Sequence, residues 1–182
     1  MLVPGLLDTL FYSDIEVPLI IEKEGKESIA GLDIKLKPGM KIKLPYTYAL
    51  ELISRKEARI DVEAFKASLN LKKLSWNESK SEALQPLEEG FYLKLMLYVS
   101  HLKYEASKGD AEREAELKSV RIAFSDLLSL RLKKIVALAV ASAQAERDKM
   151  RNMTREEQLL YTQLCSLISS WSDSMKRLVG VV

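Results

Sequence analysis

Imidazole or thiol chemistry has only two places to reside in this 182-residue chain, because it contains a single histidine, His101, and a single cysteine, Cys165. His101 lies between Ser100 and Leu102 in an apolar stretch, with no nucleophile or paired carboxylate nearby in sequence, so it reads as a core or interface residue rather than a general base. Cys165 follows Leu164 in an apolar seam, where a free thiol behaves as a small hydrophobe. The two residues cannot form a disulfide framework or a zinc cluster. No phosphate-binding glycine loop, nucleophile elbow or H-E-x-x-H helix occurs. The acidic pairs Glu88-Glu89 and Glu156-Glu157 sit where helix N-termini favour negative charge, which accounts for them without a metal. Asp126, Arg131 and Lys134 stand apart. Arg131 falls close to an apolar stripe, and a charge there needs a partner, so an internal or subunit-interface ion pair that fixes helix register is expected. No catalytic, cofactor-binding or metal-binding residue is assigned.

Composition already limits the class of protein. Hydrophobic residues make up 47% and charged residues 30%, which fits a folded chain that buries a core and excludes long disorder. The longest apolar run, Ile135 to Ala141, is seven residues, far below the roughly 20 needed to span a bilayer. The N-terminal MLVPGLLDTLFYSD has no Lys or Arg and so lacks the charged start of a secretory signal; an unprocessed cytoplasmic chain is expected. Net charge is −1 up to Val62 and +3 from Glu63 onward, neither of them a nucleic-acid footprint. Lys133-Lys134 and the group Arg147, Lys149, Arg151, Arg155 read as solvated helix ends, and direct DNA binding is expected to be weak or absent.

Periodicity predicts an α+β chain, with a small β-rich domain over residues 1–62 and a larger helical bundle over 63–182. Strands are expected over Ile15–Glu22, Ser28–Leu36 and Lys41–Leu44, with turns at Glu24-Gly25-Lys26 and Lys37-Pro38-Gly39-Met40; the second turn is expected to close a hairpin. A short helix should start at Pro45 and end at Ser54-Arg55-Lys56, followed by a strand over Ala58–Val62. A helix is predicted over Glu63–Leu74, then a loop over Ser75–Gln85. Next come a central helix from Phe91 and a longer one past Asp110, carrying Leu117, Val120, Phe124, Leu127, Leu128, Ile135 and Leu138 and running to about Met150. Thr154 and Glu157 form a capping box ahead of Leu160, Leu164, Leu167, Trp171, Met175 and Leu178. These helices carry more apolar stripes than so small a bundle covers easily, which points to a partner subunit.

Three stretches together resemble the GINS complex family of archaeal and eukaryotic DNA replication. Lys37-Pro38-Gly39-Met40-Lys41-Ile42-Lys43-Leu44-Pro45, followed by Tyr48 to Leu52 and Arg55 to Ile60, is similar to the family's β-domain signature. Leu84-Gln85-Pro86-Leu87 with Phe91-Tyr92-Leu93 resembles the entry to its first long helix, and Asp126, Arg131, Lys134 and Ile135 resemble its long middle helix. A β domain ahead of the helical domain resembles the archaeal subunit related to the second and third eukaryotic ones. The resemblance implies no active site and no cofactor. It implies a heterotetramer, two copies of this chain with two of the permuted subunit, acting at replication forks as a scaffold for the MCM helicase, a RecJ-like protein and primase. Arg131, Lys134, Asp126, Leu164, Leu167 and Trp171 are the candidate interface or structural residues. A stand-alone helical nucleic-acid-binding adaptor is the alternative.

Overall fold

The computed structural model describes residues 11–29, 32–66, 69–142 and 144–180. Its fold is α+β, with a small sheet region followed by a larger helical part. Strand β1 (Glu16–Ile21) alternates Val17, Leu19 and Ile21 inward, as period-two pleating requires. It lies between β4 (Lys41–Pro45) and β5 (Ala58–Ile60), antiparallel to both, with Val17 opposite Leu44 and Leu19 opposite Ile42 and Ile60. Pairing with β5 stops short of Pro18, whose carbonyl instead accepts the Asp61 N–H at 2.9 Å. Strands β2 (Gly25–Ile29) and β3 (Leu32–Leu36) make a separate two-stranded sheet.

Two expectations for this region are corrected. The single strand over Ser28–Leu36 is two paired strands, and Gly25-Lys26, expected in a turn, already belongs to β2. The Lys37–Met40 turn is present, with Gly39 at φ +83°, a conformation that glycine tolerates. It does not close a hairpin, however. Gly39 donates to the Ile21 carbonyl at 2.8 Å and Ile21 donates to that of Met40 at 2.9 Å, so the turn hands β4 to β1, where Leu44 joins the buried side of Val17, Leu19 and Ile21.

Helix α1 (Tyr46–Ser54) follows directly, with Pro45 one position earlier than expected, at the N-cap; it buries Tyr46, Ala49 and Leu52. The predicted Glu63–Leu74 helix is α2 (Glu63–Lys66) and then, after a break, α3 (Leu71–Lys80), which occupies half of the predicted loop. The inward face of α3 includes Leu71 and the carboxylate of Glu78, a pattern that hydropathy alone reads as solvent-facing. Helix α4 (Phe91–Ser107) buries Phe91, Leu93, Leu95, Leu97, Tyr98 and Leu102. Asp110 accepts from the Arg113 N–H at 3.0 Å at the start of α5 (Ala111–Val140), as a capping side chain should. That helix ends ten residues before the predicted Met150. The chain leaves it through buried Ser142, whose hydroxyl accepts from Lys149 Nζ at 2.6 Å and Tyr161 Oη at 3.2 Å, and then forms a 3₁₀ turn over Arg147–Met150. Helix α6 (Arg155–Leu178) begins at the predicted capping box: Thr154 Oγ1 accepts from the Glu157 N–H, and Glu157 Oε2 accepts from the Thr154 N–H at 2.9 Å.

The chain divides into two compact units. One runs to Asn70 and resumes over Glu89–Leu117; the other comprises Leu71–Glu88 and the residues from Lys118 on. Among the described residues, no helix is long and apolar enough to cross a membrane.

Candidate functional site

In the second unit, α5 and α6 each have an inner and an outer row. Facing inward on α5 are Leu127, Arg131, Ile135 and Ala139, four apart and therefore on one helical face. Facing inward on α6 are Glu157, Tyr161 and Cys165, again four apart. Leu84, Ile135, Ala139, Met153, Tyr161 and Cys165 form the core cluster, with Leu160, Leu164 and Ile168 packed against it. The lone cysteine is thus packed among hydrophobes, while His101 is half-buried on α4.

Arg131 is 1% exposed and spends its whole guanidinium inside this unit. Nε and Nη2 donate to the two carboxylate oxygens of Glu157, each at 2.6 Å, in the two-pronged geometry that suits a planar donor. Nη1 donates to Glu78 Oε2 at 2.8 Å and to the Gln85 carbonyl at 2.7 Å, and Nη2 also reaches the Asn152 carbonyl at 2.9 Å. Lys134 Nζ donates to Glu78 Oε1 at 2.5 Å and to the carbonyls of Glu78 and Ala83 at 2.7 and 3.0 Å. Two cations therefore face two carboxylates, and among the described residues no buried side-chain nitrogen or oxygen lacks a partner. Such a network ties α3, the segment before α4, α5 and the start of α6 into one register, since a slip along any of them would strand a charge in a dry site.

The geometry brings Arg131 and Lys134 together, but not Asp126, which is exposed and outside the network. Glu78 and Glu157 are the partners that sequence reasoning missed. Glu157, expected at the helix dipole and in the capping box, is also the counter-ion of Arg131. Its four-residue step to Tyr161, which continues to Cys165, puts Glu157 on the buried face of α6, and a buried carboxylate needs a cation: that is the signal the sequence held. A cavity of about 400 Å³ opens beside the network, lined by Leu84, Leu138, Lys134, Lys149, Arg151 and Asn152 among others. Lys134 is held there by Glu78, and Lys149 by Glu146 at 2.7 Å. Among the described residues, no group of three potential metal ligands occurs.

The outer rows are apolar too. Leu128, Leu132, Val136 and Val140 recur every four residues along α5 and are exposed, as is Ile122. On α6, Leu167 is 67% and Trp171 63% exposed, and Met175 and Leu178 continue the row. The predicted α6 seam therefore meets the core only at its start, where Leu160 and Leu164 pack against the cluster. The core face lies one position away at Tyr161 and Cys165, Leu164 straddles the edge, and Leu167 and Trp171 look outward. Rows of this length are uncommon on the free surface of a monomer and mark protein contacts.

A separate charged group lies in the first unit. Glu116 accepts from the Tyr98 hydroxyl, from Arg113 Nη1 at 2.7 Å and pairs with Lys66 Nζ at 3.3 Å. Burial pushes the Glu116 carboxyl up, but these donors outweigh it and hold the group below the usual carboxylate range. Burial, reinforced by Glu116, pushes the Tyr98 phenol above its ordinary value.

Residues 68–176 match the family model Sld5, described as GINS complex protein helical bundle domain. The chain matches no curated protein sequence. The matched segment holds the Arg131 network and, but for Leu178, both exposed apolar rows, and it spans more than half of the sequence, so the chain belongs to the GINS complex protein family.

Proposed function

We propose that this chain is a non-catalytic subunit of a GINS replication scaffold, in which residues 63–182 build the subunit contacts and residues 1–62 dock at the edges. The observation that carries this reading is the pair of exposed apolar rows on α5 and α6, within a helical bundle whose charged interior is already satisfied. Burying such rows supplies roughly 25 cal/mol per Å² of apolar area, and the large side chains Leu167 and Trp171 are suited to anchor a contact. Arg131 and Lys134 act from behind, holding the helices in the register that displays the rows. The partner is the permuted GINS subunit, two copies with two of this chain. The assembly, active in the cytoplasm at the replication fork of an archaeal cell, binds the MCM helicase, a RecJ-like protein and primase, and stimulates unwinding by holding the motor in a productive arrangement.

An adaptor gripping DNA through Lys133, Lys134, Arg147 and Arg151 is less well supported, because Lys134 already gives its three N–H donors to Glu78 and Ala83. The test is co-expression with the permuted subunit, followed by a helicase assay. Wild-type chain is expected to co-purify and to raise MCM unwinding, and the L167D/W171D variant to do neither while keeping its helical spectrum. Equal co-purification of the variant would refute the assignment of the rows.

A further inference from the structure

The outward face of α3 carries a separable feature. Turned away from the core are Lys72, Lys73, Trp76, Asn77, Ser79 and Lys80, whereas the helix's only carboxylate, Glu78, is fully buried and paired with Arg131 and Lys134. The outward side of the helix thus carries lysines and no carboxylate of its own, which the net charge of +2 for the whole chain conceals. The next acid in sequence, Glu82, lies beyond the helix end. At the centre of the face Trp76 is 63% exposed, and Lys80 Nζ stands 4.5 Å from its ring centroid. Lys72 and Lys80 are two full steps of four from end to end, so they flank the indole about 12 Å apart along the axis.

We propose that this face binds single-stranded nucleic acid, with Trp76 as a stacking platform for a base and Lys72 and Lys80 contacting the phosphates on either side. Single strands alternate a π-face with a charge, and proteins that hold them without sequence preference combine exposed aromatics with lysines in this way. An acidic protein segment is the weaker match. Leu71 is buried and Leu74 half-buried, which leaves no exposed aliphatic row beside the ring on which an amphipathic helix could seat.

The test uses the full-length chain and fluorescein-labelled dT15, with intrinsic fluorescence of a W171F variant reporting on Trp76 alone. Binding at low salt is expected to quench that fluorescence. W76A is expected to weaken binding about fivefold or more, the loss of one stacked base. K72A/K80A is expected to lower the slope of log K against log salt by roughly 1.4, two phosphates at about 0.7 each. Because all three side chains are exposed, these variants should keep the wild-type circular dichroism; if W76A does not, the K72A/K80A salt slope decides. The proposal is overturned if dT15 neither binds nor quenches at low salt, or if W76A and K72A/K80A bind it as wild type does. It is equally overturned if duplex of the same length binds as tightly, or if polyglutamate at equal charge displaces dT15, which would make the face a general acidic-protein site.

Discussion

Replacing Arg131 with methionine keeps most of the side-chain volume and removes the charge, so it isolates the electrostatic role of the network. Glu78 would retain Lys134, but Glu157 would lose both guanidinium donors in a dry interior. The Gln85 and Asn152 carbonyls would each lose a donor as well. Breaking a buried pair by removing one partner costs about 3–5 kcal/mol, a large share of the ~5–15 kcal/mol that keeps a domain folded. Urea unfolding of the full-length chain, followed by circular dichroism, should therefore show Arg131→Met destabilised by about that amount. The double variant Arg131→Met, Glu157→Met leaves no orphaned charge. It gives up the Glu157 half of the capping box, about 1 kcal/mol, and should be more stable than Arg131→Met alone. A loss below about 1 kcal/mol for the single variant, or a double variant less stable than the single, would refute the reasoning that the network is a closed charge balance.

Trp171→Ala should cost under about 1 kcal/mol in the isolated chain, where the ring is exposed, yet weaken assembly by about 2 kcal/mol or more if the ring anchors an interface; paired unfolding and subunit-titration measurements separate the two. Gly90 holds φ +68°, and a Cβ there would lie 2.5 Å from Ile15 Cγ2, so Gly90→Ala should destabilise by roughly 2 kcal/mol or more in thermal unfolding. Because the Glu116 carboxyl sits below its ordinary value, the unfolded chain takes up the proton first as pH falls. Its contribution is therefore complete above about pH 5, the top of the unfolded carboxylate's titration, and is lost as pH falls through the depressed folded value. Glu116→Gln should flatten that part of the stability profile, and an unchanged acid slope would contradict the assignment.

Elements with one strong local device were legible in the sequence. The Thr154/Glu157 capping box, the Pro45 helix entry and the Lys37–Met40 turn each rest on residues whose backbone preferences act within a few positions. Pairing was less legible, because the choice of β1 over β3 as the partner of β4 depends on apolar burial far along the chain. Helix α3 was hidden because its inward face is carried partly by an anion, and hydropathy cannot tell a buried, paired glutamate from a solvated one. The same blindness concealed Glu157 as the counter-ion of Arg131. For α6, the apolar spacing was visible, but which of two adjacent rows faces the core was not, since both are four-residue repeats. Tyr161, anchored to Ser142, and Glu157, anchored to Arg131, decide the rotation and turn Leu167 and Trp171 outward.

That rotation is the centre of the functional account, and native mass spectrometry of this chain co-expressed with a permuted GINS subunit tests it most directly. The expected spectrum is one species of two plus two chains for wild type, and free monomer for L167D/W171D. A wild-type chain that stays monomeric beside its partner, or a variant that assembles with the same mass, would contradict the claim that these outer rows are covered by sister subunits.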